Sequence, residues 1–124
     1  IIDYLRSAKA TKVVIDGAGN QSVLEEDMKN AGVKCKAVLP KVAEVIGANA
    51  LFEKRLFDGQ ICHKNQPSLE QAVANCEHRA IGTGGGYGYT SILEGADVSL
   101  LESVSLAHWL CANAKEVKKQ VISY

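Results

Sequence analysis

Neither sign of charge is in excess in this chain: 14 Lys and Arg stand against 14 Asp and Glu in 124 residues. That balance excludes a basic nucleic-acid coat protein or an acidic tail. It does not exclude a domain that meets DNA locally, because zero is only a sum. A Cys-x-x-Cys pair is also missing, although Cys35, Cys62, Cys76 and Cys111 are present. Zinc sites and thioredoxin-like dithiols usually need that close spacing. Free cysteine behaves as a small hydrophobe, so all four read as reduced core residues, which points to a reducing cytoplasm. No apolar run approaches the roughly 20 residues of a membrane span, and no signal peptide is recognisable. No membrane partner is expected.

What is present is ordinary for a globular fold. Hydrophobic residues make up 47% and charged residues 23%, which is unlike a disordered or low-complexity segment. A chain of this length buries roughly two-thirds of its unfolded surface and needs no disulfide or metal staple. The reading is one domain over residues 1–124, without repeats or linkers. The chain begins at Ile1 rather than Met, so a processed chain or a piece of a longer one is expected.

Periodicity gives the elements. Ile1, Ile2, Leu5 and Ala8 share a helical face, the end of a helix. Lys12 to Asp16 is a β-branched run closed by Gly17, a buried strand with Asp16 at its C-terminal tip. Ser22-Val-Leu-Glu25 has the form of a capping box and predicts a helix through about Asn30, with Leu24, Met28 and Ala31 inward and Gly32 as the stop. Val33 to Leu39 alternates as a second strand. Pro40 predicts a helix to about Phe57 with Val42, Ile46, Ala50 and Phe57 facing inward. Gln60 to His63 reads as a short strand, and Ser68-Leu-Glu-Gln71 as a capping box after Pro67, heading a helix to about Cys76. Residues 77–81 and 87–93 flank Gly82-Thr-Gly-Gly-Gly86, which suggests a β-hairpin. Ser99-Leu-Leu-Glu102 opens a helix that is apolar nearly all round and belongs beneath other elements. Strand, helix, strand, helix in this order is the pattern of an α/β sheet with parallel members.

Few residues stand out for chemistry. Asp16, at the end of a buried strand and before Gly17-Ala-Gly19, sits where open α/β sheets bind ligands; equally, it suits a turn-forming Asp. Asp97 lies two residues before Ser99. It reads either as a helix cap or as a metal-binding carboxylate at the start of a central helix. Glu94 is near enough in sequence to substitute for it. Hard carboxylates on separate elements suit Mg2+ or Mn2+. The Gly82–Gly88 run is not a phosphate loop, since no helix follows directly and no Gly-Lys-Ser/Thr closes it; a hairpin tip is expected. Tyr87 and Tyr89 alternate on one strand face, where they could pack or brush a nucleic-acid backbone. His63, His78 and His108 form no metal-binding spacing. His63 and His108 read as structural, and Trp109 as a core or interface anchor.

Two stretches taken together carry a resemblance. The first is Val13-Val-Ile-Asp-Gly-Ala-Gly-Asn-Gln-Ser-Val-Leu24, followed by a helix and Gly32-Val-Lys. The second is His63-Lys-Asn-Gln-Pro-Ser-Leu-Glu-Gln-Ala-Val-Ala-Asn75, then the glycine-rich hairpin, then Gly95-Ala-Asp-Val-Ser99 with Leu106-Ala-His-Trp109. In this order they resemble the C-terminal nuclease domain of the large terminase subunit of tailed bacteriophages and prophages. The motifs are individually short, and the ordered set over nearly the whole chain carries the weight.

That resemblance implies an α/β fold with an RNase H-like mixed sheet flanked by helices. It also implies a metal-dependent endonuclease that cuts concatemeric double-stranded DNA during genome packaging. Asp16 would be the acid on the middle strand and Asp97 the acid heading the late helix, both catalytic and both metal ligands for two Mg2+ or Mn2+ ions. Implied partners are double-stranded DNA, the terminase ATPase domain, the small terminase subunit and the portal, in the cytoplasm of the bacterial host. RNase H-like nucleases place a first acid on an opening hairpin. Asp3 lies in the first helix instead, so the expected domain is truncated at its N-terminus, lacks one catalytic acid and is a poor nuclease alone. The alternatives are a Rossmann-like nucleotide- or ligand-binding module, against which the absent Gly-x-Gly-x-x-Gly counts, and a non-catalytic packaging interaction domain.

Overall fold

The computed structural model describes the backbone of residues 1–15, 17–94 and 97–122, with the side chains of these residues except 18 and 115–122. It is a mixed α/β structure of five helices and two small sheets, and it divides into two compact units, Ile1–Lys41 and Val42–Tyr124. No described helix is long and apolar enough to cross a membrane.

The first unit runs α1 (Ile2–Ser7), β1 (Lys12–Val14), α2 (Ala18–Asn30) and β2 (Lys36–Val38). The two strands pair in parallel, Val13 opposite Ala37. Bonds from Lys36 N–H to the Thr11 carbonyl and from Ile15 N–H to the Val38 carbonyl extend the ladder at both ends. A parallel pair needs a crossover, and α2 supplies it. Leu5, Met28 and Ala37 are buried together, with Val13, Leu24, Val33 and Cys35 around them. The helix starts four residues before the Ser22 capping pattern, because Gly17 turns the chain at φ 102° and its carbonyl accepts the Gln21 N–H. That φ lies where a side chain would be strained, so glycine rather than Ser22 sets the boundary.

The second unit runs α3 (Val42–Phe57), α4 (Pro67–Ala74), β3 (Cys76–Ile81), β4 (Gly86–Ser91) and α5 (Ser99–Ile122). The strands form the expected antiparallel hairpin, with Cys76 opposite Ser91, His78 opposite Tyr89 and Ala80 opposite Tyr87. Phe52, Ala72, Tyr89, Val98 and Leu101 form the core, with Ile61, Cys76, Tyr87 and Val104 against it. Pro67 occupies the first turn of α4, where its missing N–H costs nothing, and Gln66 is the cap residue. Residues 60–63 are irregular rather than a strand.

The inward face of α3 differs from the one expected. Val42 and Phe57 are 66% and 81% exposed, and Ala50 is exposed, whereas Ala48, Asn49 and Phe52 are buried. The cause is Asn49, a polar residue on the core face. Its Nδ2 donates to the Tyr87 carbonyl at 2.9 Å and its Oδ1 accepts from Ser105 Oγ at 2.8 Å. A buried amide satisfied on both sides is tolerated in a core, and an apolar count along the helix overlooks it. Gly86 allows α3 to lie close to the hairpin: a Cβ there would sit 2.7 Å from Ile46 Cδ1. The cysteines are all free, but only Cys35 and Cys76 are partly buried. Cys62 and Cys111 are exposed, which corrects their assignment to the core.

Candidate functional site

Asp16 lies outside the described residues. Around it, β1 ends at Val14, earlier than the expected strand end at Asp16, and Gly17 rather than Ser22 caps α2. Asp97 is exposed and stands two residues before the start of α5. The Ser99 N–H donates to its Oδ1 at 2.8 Å and Ser99 Oγ donates to its Oδ2 at 2.9 Å. These two bonds, the backbone one first, hold the Asp97 carboxyl below the usual carboxylate range, so it is ionised at neutral pH. Asp97 therefore serves the helix start, as its capping reading anticipated. Each of its oxygens keeps a second lone pair facing solvent. Glu94 is exposed in the turn after β4.

Asp97 offers hard oxygen donors suited to Mg2+ or Mn2+. Among the described residues no three His, Cys, Asp or Glu side chains converge as a metal-holding group.

Other expectations fall on described positions. Residues 82–85 form the hairpin tip and lead into β4, not into a helix, so the glycine run has no phosphate-loop geometry. His63 Nδ1 accepts the Asn65 N–H at 3.1 Å, a local loop role. His108 on α5 meets Arg55 Nη1 at 3.2 Å and packs edge-on against Phe52.

The most organised group of polar side chains in the second unit was not singled out by motif. Glu53, one turn beyond Asn49 on α3, points at the hairpin. Its Oε1 lies 2.6 Å from His78 Nε2 and accepts from Tyr89 Oη at 3.1 Å, and its Oε2 accepts from Tyr87 Oη at 2.7 Å. The His78 ring stacks on Tyr87 at 4.0 Å between centroids and 15° between planes. Partial burial raises the Glu53 pKa, but the hydrogen bonds from His78, Tyr87 and Tyr89 outweigh it and leave the carboxyl below its ordinary value. The phenols respond oppositely. Burial, then the bond to Glu53 and its charge, push Tyr87 up to about 12. Burial and the Glu53 charge raise Tyr89 further. Burial likewise raises the Cys76 thiol, opposed by a backbone hydrogen bond and aided by the Glu53 charge.

Two signals in the sequence lead to this cluster. Asn49 and Glu53 are polar residues four apart on one helix face, and Tyr87 and Tyr89 alternate onto one strand face. An ionised carboxylate has no proton to give, so His78 Nε2 must carry the hydrogen that joins them. The cluster can hold a fixed imidazole tautomer and a buffered negative charge.

Comparison of the chain with protein families, with curated proteins and with solved structures finds no match.

Proposed function

We propose that the chain is a metal-dependent endonuclease domain of a phage terminase large subunit, with an RNase H-like fold, cutting concatemeric double-stranded DNA during packaging. The observation that carries this reading is the order of short motifs from Val13 to Trp109, which resembles that domain over nearly the whole chain. Two local features are compatible with it: a parallel β–α–β segment whose first strand ends just before Asp16, and an exposed, ionised Asp97 before the long α5. Asp16 and Asp97 are the residues that would hold Mg2+ or Mn2+. When bound, such ions activate water and neutralise the scissile phosphate. What the chain itself contributes at Asp97 is orientation: both oxygens are fixed by Ser99, so little side-chain freedom is lost on binding a cation.

The test is cleavage of linear double-stranded DNA by this chain with and without Mn2+. Metal-dependent cleavage that falls by at least about 100-fold in Asp97→Asn and in Asp16→Asn is expected. Cleavage untouched by both substitutions would overturn the reading. A non-catalytic packaging interaction domain is the second reading. It is favoured by the engagement of both Asp97 oxygens in the helix start, and binding to terminase partners without cleavage of DNA would select it.

A further inference from the structure

We propose that His78 is a nucleophilic imidazole that accepts acyl groups from activated esters, with Glu53 as its positioning residue. The inference is independent of the nuclease reading and rests on the geometry of the second unit. His78 Nε2–H is committed to Glu53 at 2.6 Å, which leaves Nδ1 as the ring's basic lone pair. Nδ1 meets no hydrogen-bond partner among the described residues, and the His78 side chain is 52% exposed while Glu53 is only 21% exposed. The ring is thus half exposed, with Nε2 turned to the less exposed carboxylate and Nδ1 left without a partner among the described residues.

The ring cannot turn freely. It stacks on Tyr87 and lies tilted 5.8 Å from Tyr89. Both tyrosines hold the carboxylate that holds the ring. Immobilising a nucleophile before reaction removes part of the entropic barrier to attack. A carboxylate that orients an imidazole and faces its protonated nitrogen is also the arrangement that stabilises a developing imidazolium. The groups facing His78 are Glu53 from α3, Tyr87 and Tyr89 from β4, and its strand neighbour Cys76 beside the same carboxylate.

The step balances without a cofactor. The Nδ1 lone pair attacks the acyl carbon, the Nδ1–C bond forms, and the C–O bond to the leaving group breaks with its electron pair on oxygen. The acyl-imidazolium keeps Nε2–H against ionised Glu53, which compensates its charge. Water then adds to the acyl carbon and gives up one proton to solvent, and the C–N bond breaks with its electron pair returning to Nδ1. This restores neutral His78 and releases the carboxylic acid, whose own proton also passes to solvent, while the leaving oxygen departs as the anion.

The experiment uses the intact chain and two probes: diethyl pyrocarbonate, with the modified histidine located by mass spectrometry, and 4-nitrophenyl acetate, followed by nitrophenolate release. His78 is expected to be carbethoxylated several-fold faster than His63, and Glu53→Gln to remove that advantage. His78→Gln separates chemistry from structure, because its amide N–H can replace Nε2–H toward Glu53 while no basic nitrogen remains. It is expected to keep the melting temperature and lose most of the ester hydrolysis, roughly fivefold or more, whereas His63→Gln keeps it. Equal labelling of His63 and His78, or unchanged hydrolysis in folded His78→Gln, would overturn the proposal. Neither readout depends on DNA or metal, so loss of nuclease activity leaves this result standing.

Discussion

Residues 1–41 bury Leu5, Met28 and Ala37 between one parallel strand pair and two helices, while residues 42–124 combine a larger apolar core with polar side chains tied across it. In the first unit the strands are three residues long and the buried core side chains, Leu5, Met28 and Ala37, are apolar. In the second, Asn49 joins Ser105 to the Tyr87 carbonyl, and Glu53 gathers His78, Tyr87 and Tyr89. Apolar packing is non-directional and tolerates rearrangement, whereas a satisfied buried network admits few geometries. The second unit is therefore specified in register, and the first rests mainly on a few buried side chains.

The largest effect should come from emptying the larger core. Phe52→Ala is expected to cost about 3–5 kcal/mol, measured by denaturant unfolding. A loss under about 1 kcal/mol would mean that Phe52 does not anchor the second unit. Met28→Ala should cost about 2–5 kcal/mol of local stability. Its signature is site-specific: amide exchange accelerates at β1 and β2 and leaves β3 and β4 protected. Uniform acceleration across both sheets would erase the distinction between the units.

Asn49→Leu tests the polar tie without emptying volume. It strands the buried Ser105 hydroxyl and the Tyr87 carbonyl, for an expected loss of about 1–3 kcal/mol. Adding Ser105→Ala should recover part of that loss, because one of the stranded groups is then gone. The smallest effect is the pH response of the Glu53 cluster. Glu53 is lowered in the folded state, so its contribution is present above its unfolded value and is lost as pH falls through the folded one. Tyr87 is raised to about 12, so its contribution is present below its unfolded value and is lost as pH rises through the folded one. Ultraviolet titration should show both hairpin tyrosines still protonated above the ordinary phenol range; their ionisation within that range would contradict the cluster.

Much of the secondary structure is legible from residue pattern. The hairpin follows from its glycine-rich turn, and the parallel pair from a short β-branched run and an alternating run around a helix, of which β2 takes only Lys36–Val38. Residues 60–63 do not form the expected strand, and other features escaped for physical reasons. The Ser22 pattern does not start α2, because Gly17 provides the turn earlier. The core face of α3 was misassigned because Asn49 is buried by virtue of partners distant in sequence. Cys62 and Cys111 are exposed because cysteine tolerates both environments and its neighbours do not decide. The candidate site divides similarly. The capping reading of Asp97 follows from its spacing to Ser99, whereas for the Glu53–His78–Tyr87–Tyr89 cluster the sequence shows the two faces, Asn49 with Glu53 and Tyr87 with Tyr89, but not the tertiary pairing of helix and hairpin that brings them together.

Paramagnetic broadening by Mn2+ tests the proposed metal site most directly. With substoichiometric Mn2+ added to isotopically labelled protein, the proposal predicts that the amide signals of Ile15 and Gly17 broaden together with those of Asp97 and Val98, and that Asp97→Asn abolishes both sets. Broadening confined to one of the two segments, or absent from both, would contradict a metal held by Asp16 and Asp97.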